Sequence, residues 1–188
     1  HPLFKKVKAI VDSGELGIIK HLDAYFGFPF LPDSDIRNKK ELGGGAILDA
    51  LIYPLSLALY IQPEKQSAFT YYIAHDPEHD IDAHGFLRLD SPTFTSHVHY
   101  GFGFMYRNSY SIWGDKGYLE VDRAFTRPPD LPAKIIFTKQ NEKMTIEVEA
   151  ANHFDLMIEN FAQKIRGIDQ SGINERNDIL NRMKIIDN

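Results

Sequence analysis

Residues 43–61 read GGGAILDALIYPLSLALYI. Three consecutive glycines open the stretch, and a long apolar run follows, broken by Asp49 and Tyr53. The run is shorter than the ~20 apolar residues of a membrane span, and it carries an acid and Pro54. It reads as one buried helix ending at Ile61. On a helix, residues four apart share a face about one turn from each other. Asp49 and Tyr53 therefore stand side by side, just past a glycine turn. Two readings fit. In one, a buried Asp is satisfied by backbone or a nearby base and the Tyr packs in the core. In the other, the pair faces a cleft: the phenol donates to a carbonyl oxygen, and the carboxylate grips a substrate hydroxyl.

Gly43, Gly44 and Gly45 do not make a phosphate loop in their own right. A dinucleotide fingerprint needs G-x-G-x-x-G between a strand and a helix of a βαβ unit. Here a polar loop precedes the glycines, and nothing around them repeats in that pattern. Adjacent glycines let a backbone come close to a neighbouring sheet or a ligand.

Outward from this stretch, the chain is ordinary in bulk. Its 188 residues are 43% hydrophobic and 25% charged, with a net charge of -5. That supports one globular domain over residues 1–188 and argues against a nucleic-acid binder, which would show a basic face. There is no cysteine, which excludes disulfides, thiolate metal sites and cysteine nucleophiles. A cytoplasmic setting is expected, with no membrane partner and no signal peptide. The opening on His1 suggests a fragment or a cut chain.

Upstream, Pro2 suits a first helical turn. Leu3, Val7, Ile10 and Val11 repeat at helical spacing, and Gly14 and Gly17 end that helix. Residues 18–28 read as a strand, stopped by Pro29 and Pro32. Residues 33–42 form a polar loop holding Arg37. Downstream, Pro63 closes the central helix. Segments near 67–75, 83–90, 93–101, 108–113, 117–122, 133–138 and 143–149 read as strands, with hairpin turns at 115–117 and 141–143. Strands in succession without crossover helices pair antiparallel. A helix from Phe154 to Gly167 follows, and Asn174 is placed to cap a last one. The layout is α+β: an open, mostly antiparallel sheet with helices packed on one face. Phe102, Phe104, Tyr106 and Tyr110 are expected to make the other face apolar and to drive self-association.

Other clusters yield less. Residues 75–84, HDPEHDIDAH, hold many potential ligands, but their spacing fits no known metal site and reads as a solvated hairpin. His97 and His99 share one face of a strand and could hold a metal only with a third ligand. A metal-dependent hydrolase built on these histidines is thus a distant third reading, and no metal ligands are assigned.

The segment ELGGGAILDALIYPLSLALYI resembles the signature of the second domain of the Gfo/Idh/MocA oxidoreductases, the glucose–fructose oxidoreductase and inositol dehydrogenase family. That signature is a glycine triplet, an acid, then His or Tyr four residues later. HPLFKKVKAIVDSGELGIIKHLDAYFGF, SIWGDKGYLEVDRAFTRPP and ANHFDLMIENFAQKIRG are similar to the family's following elements, in the same order. The resemblance implies the open-faced sheet of the dihydrodipicolinate-reductase-like fold, serving as a substrate-binding and oligomerisation domain. It implies NAD or NADP chemistry on a carbinol or carbonyl of a sugar, cyclitol or nucleotide sugar, with a homodimer or homotetramer formed through the sheet. Tyr53 would handle the proton at the reacting oxygen, Asp49 would be its neighbour on a substrate hydroxyl, and Arg37 would face the cleft. The glycines would let the helix start approach the cofactor. The family's nucleotide loop and its Glu-Lys-Pro segment have no counterpart here; Pro63-Glu64-Lys65 is not that motif. The chain alone is therefore expected to hold no dinucleotide and to be inactive. The alternative is a non-catalytic dimerisation or sugar-binding module that has lost its nucleotide domain.

Overall fold

The structure, a computed structural model, describes residues 1–62, 68–140, 142–168 and 172–187. Pro63, Glu64 and Lys65 lie outside the described residues, as do residue 141 of the second expected hairpin turn and the side chain of Asn174. The chain opens with α1 (Pro2–Asp12) and β1 (Ile19–Phe28). Two 3₁₀ turns (Ile36–Asn38, Lys40–Leu42), a π-turn (Ile47–Leu51) and α2 (Ile52–Ile61) follow. Then come β2 (Ala68–Asp76), β3 (Ile81–Asp90), β4 (Thr95–Phe102), β5 (Arg107–Gly114), β6 (Gly117–Asp122), β7 (Ala133–Lys139) and β8 (Glu142–Val148). Two helices, α3 (His153–Ile165) and α4 (Gly172–Ile186), end the chain. The last helix thus begins ahead of Asn174, the residue expected to cap it.

Among the described residues the strands form one eight-stranded sheet in the order β2-β3-β4-β1-β5-β6-β7-β8. Neighbouring strands pair antiparallel, except that β1 runs parallel to β4, with Leu22 opposite Ser96 and Phe26 opposite Tyr100. The long connection through α2, β2 and β3 allows that parallel pair.

Alternation along the strands sorts the two faces. Leu22, Ala24 and Phe26 of β1, Val98 and Tyr100 of β4, and Tyr110 and Ile112 of β5 are buried on one face. Leu3, Val7 and Ile10 of α1 and Leu55, Leu57 and Ile61 of α2 join them in a single core. This corrects the expected source of the open face. Phe102 and Tyr110 are core residues, because Tyr110 shares strand parity with buried Asn108 and Ile112. Phe104 and Tyr106 are exposed, but they sit in the loop between β4 and β5. The open face instead carries Tyr25, Tyr72, Phe86, His99 and Trp113. There Tyr25 stacks on His99, Tyr72 stacks on Phe86, and Trp113 is 62% exposed. The apolar stripe of α3 is not core either: Phe154, Met157, Phe161 and Ile165 all stand exposed.

The stretch read as one helix is two. Pro54 has no N–H for the carbonyl of Ala50, and its ring crowds that carbonyl, so an α-helical ladder cannot run through it. The π-turn absorbs the mismatch just before α2. A proline inside a helix costs about 3 kcal/mol. Burial of Leu55, Leu57 and Ile61, at about 1.5–3 kcal/mol each, outweighs it.

Candidate active site

Tyr53 projects from the first turn of α2. Its ring meets Phe26 of β1 edge-on, with centroids 5.3 Å apart, and lies 6.4 Å from Phe125. Tyr53 is 39% exposed, and among the described residues no hydrogen bond engages its hydroxyl. It lines a cleft of about 1050 Å³ with Phe4, Tyr60, Phe125, Arg127 and Arg182. Arg182 donates to Ser56 Oγ at 2.5 Å, which ties α4 to α2 across the cleft. Arg127 reaches the carbonyls of Pro132 and Asp122. A phenol with its oxygen unclaimed at the edge of an aromatic pocket can donate to a carbonyl oxygen.

Phe125 is held in place by a residue the sequence reading passed over. Asn108 is buried on β5. Its amide nitrogen donates to Thr126 O, Thr126 Oγ1 and Tyr106 Oη at 2.9–3.0 Å, and its oxygen accepts from Phe125 N at 2.8 Å. One amide thus satisfies a loop that has no regular backbone pairing. No sequence signal marks this, since a strand asparagine looks the same when exposed.

Arg37 and Asp49 meet directly. Arg37 Nε donates to Asp49 Oδ2 at 2.9 Å, and Arg37 Nη1 donates to Asp35 Oδ1 at 3.1 Å. The Asp49 carboxylate pushes the guanidinium above its ordinary value, with Asp35 adding to the effect. Asp35 is held below the usual carboxylate range, first by the Arg37 backbone N–H and then by its side chain. Neither Arg37 nor Asp49 lines the Tyr53 cleft. Asp49 lies in the π-turn and Tyr53 in α2, and each takes a different partner.

The glycines fasten this arrangement. Gly44 N–H donates to Lys39 O and Gly45 N–H to Arg37 O, at 2.9 and 3.0 Å. A Cβ on Gly44 would lie 2.5 Å from Arg37 O, and one on Gly45 would lie 2.2 Å from Asp82 Oδ2. The close approach is made by the chain itself, and it draws the Arg37 turn against the start of the π-turn. Only at Gly43 is the space beside the backbone open.

Asp82 is the second residue that sequence reading missed. Its carboxylate accepts from Ile47 N at 2.6 Å and also receives the Ala46 N–H. It caps the π-turn from β3, where the β2–β3 ladder slips register between Ala74 and His75. Burial raises its carboxyl above the ordinary value, against the pull of those N–H groups. The rest of the 75–84 run makes the expected hairpin: His79 Nδ1 lies 2.5 Å from Asp76 Oδ2, and Lys40 pairs with Asp80.

A mostly antiparallel open sheet backed by helices in this order is shared with solved oxidoreductases. The chain belongs to the GFO/IDH/MocA family: the family's C-terminal domain model matches residues 4–120. It is 34% identical over 171 residues to a dTDP-3,4-didehydro-2,6-dideoxy-alpha-D-glucose 3-reductase of Saccharopolyspora spinosa, covering 89% of this chain and 52% of that protein. Among solved structures it resembles a 3-ketoreductase from Actinomadura kijaniata in complex with NADP and TDP-benzene. The TM-score is 0.80 at 26% identity, over 91% of this chain and 54% of that one. An aldose-aldose oxidoreductase from Caulobacter crescentus shares the fold, with a TM-score of 0.76 at 21% identity, over 88% of this chain and 50% of that one. The chain spans about half the length of the curated relatives it matches. Among the described residues no helix is long and apolar enough to cross a membrane.

Proposed function

We propose that this chain is the substrate-binding half of an NAD(P)-dependent reductase acting on a ketone of a nucleotide-linked deoxy sugar. The observation that carries this reading is Tyr53, its hydroxyl unclaimed by any described residue, in a cleft whose rim includes Arg127 and Arg182. The relative from Saccharopolyspora spinosa, named as such a reductase, adds support. The aromatic wall offers a stacking surface, and Arg127, Arg182 and Lys184, which share the lining with Glu175 and Asp178, offer charge to a diphosphate. A nicotinamide dinucleotide, when bound, supplies the hydride. The residues present fit it narrowly: Gly43 alone of the triplet leaves room beside its backbone, so the other half of the enzyme would hold most of the cofactor. Tyr53 would give its phenolic proton to the carbonyl oxygen as that oxygen gains charge. Asp49, held by Arg37, would take a sugar hydroxyl at the neighbouring edge of α2 once the two halves close on each other. The non-catalytic module is not favoured, because the relatives that cover most of this chain are named for a reduction. The same reading pairs two chains through the open sheet face and sets the protein in the cytoplasm, in keeping with the absence of cysteine.

The test is Tyr53→Phe in the full-length protein, followed by NADPH absorbance with a dTDP-linked keto sugar. The expected result is a fall in kcat of roughly 10²-fold or more with KM little changed. An unchanged kcat returns Tyr53 to a packing role.

A further inference from the structure

On the face of the sheet opposite the helices, three side chains converge at the seam between β1 and β4. Asp23 and His97 are direct cross-strand partners in the parallel ladder, and His21 is two residues before Asp23 on the same face of β1. Asp23 Oδ1 lies 3.1 Å from His21 Nε2 and 3.6 Å from His97 Nδ1. The two imidazoles cross at 83° with centroids 4.8 Å apart. One donor atom from each residue lies within 4.8 Å of the other two.

These separations have a physical reading. Ligands held at 2.0–2.2 Å around a tetrahedral ion stand about 3.3–3.6 Å from one another. The two carboxylate–imidazole distances, 3.1 and 3.6 Å, lie just below and at the top of that range. The separation that has to close is that between His21 and His97, whose donor atoms lie within 4.8 Å of each other. All three residues sit on central strands, so the backbone positions are fixed before any ion arrives. Arg88, across from His97 on β3, is turned to Asp90 at 2.9 Å and leaves the seam clear of a pointed cation. His99, the partner first considered for His97, is taken by stacking on Tyr25 at 5.0 Å.

We propose that His21, Asp23 and His97 bind one divalent transition-metal ion of the zinc class on the sheet face opposite the helices. Two imidazoles and one carboxylate form a borderline-soft donor set that suits Zn²⁺, Co²⁺ or Ni²⁺ and disfavours Mg²⁺ and Ca²⁺. The site is remote from the Tyr53 cleft and does not depend on the proposed reduction.

The experiment is calorimetric titration of the untagged chain with ZnCl₂ in a non-chelating buffer, paired with the visible spectrum of the Co²⁺ form. The expected result is a saturable event of one ion per chain, a visible Co²⁺ band, and no comparable response to MgCl₂. Asp23→Asn and His97→Gln should each weaken Zn²⁺ binding roughly tenfold or more, while His99→Gln binds as the unaltered chain does. No saturable Zn²⁺ heat and no visible Co²⁺ band from the unaltered chain would overturn the proposal, whatever the variants do. Undiminished binding in a folded His97→Gln chain would overturn it as well.

Discussion

Asp82 is the residue on which the start of the central helix rests. The first N–H groups of any helix lack partners within it, and here a carboxylate from a strand supplies them. Asp82→Ala leaves those donors buried and unpaired, and should cost about 1–3 kcal/mol in urea denaturation. Asp82→Asn keeps an acceptor oxygen and should lose less. The two variants also separate on pH. Burial raises the folded-state value of this carboxyl, so the folded chain takes up a proton that the unfolded chain has released. Its contribution is full below the ordinary carboxylate value and is lost as pH rises through the raised one. Asp82→Asn should flatten that slope in stability measured across the window. Sequence reading set Asp82 in a solvated run because its partner, Ile47, is 35 residues away. Asn108 was missed for the same reason, its partners being 17 and 18 residues distant. Arg37, Asp49 and Tyr53 were named because a motif places them, while the ion pair joining the first two became visible only in three dimensions.

At the scale of elements, the glycine triplet and the π-turn act as one unit. Gly45 has φ +122, and the position its Cβ would take is filled by the Asp82 carboxylate. Gly43 has φ +77 with open space beside it. Gly45→Ala should therefore destabilise the fold by roughly 1–3 kcal/mol, and Gly43→Ala by about 1 kcal/mol from backbone conformation alone. Thermal melts of the two variants check the order; equal melting temperatures would mean that the Asp82 contact is not held in solution. The strands were readable almost to their ends, because alternating β-branched and aromatic residues mark them. The break in the central helix was not read, although Pro54 was in plain view. Apolar periodicity alone continues smoothly through a proline that the backbone ladder cannot pass.

For the whole molecule, the open face sets the expected assembly. Trp113, Phe86 and Tyr72 leave an aromatic surface on the sheet, and covering it needs a partner of similar shape. Sedimentation of the chain at micromolar concentration should give twice the monomer mass. A chain carrying both Trp113→Asp and Phe86→Asp should run as a folded monomer. A monomer from the unaltered chain would remove the sheet-face pairing. The presence of an open face was legible in the order of elements, but its composition was not. Which aromatic residues point outward depends on strand parity, and parity is fixed by register.

The parallel seam also governs how the sheet can come together. Strands β2, β3 and β4 form one run of sequence neighbours, and β5 through β8 form another. Only β1, first in sequence among the described strands, lies between them, so it is the keystone of the sheet. Neither of its partners is local, and pairing across such separations is slow to form. The two meanders would assemble early and β1 would slot in last, carrying Phe26 beneath Tyr53 and Asp23 beside His97 as it docks. A protease nick in the segment after Phe28 would thus leave the strand that joins the two halves of the sheet held to them by hydrogen bonds and packing alone.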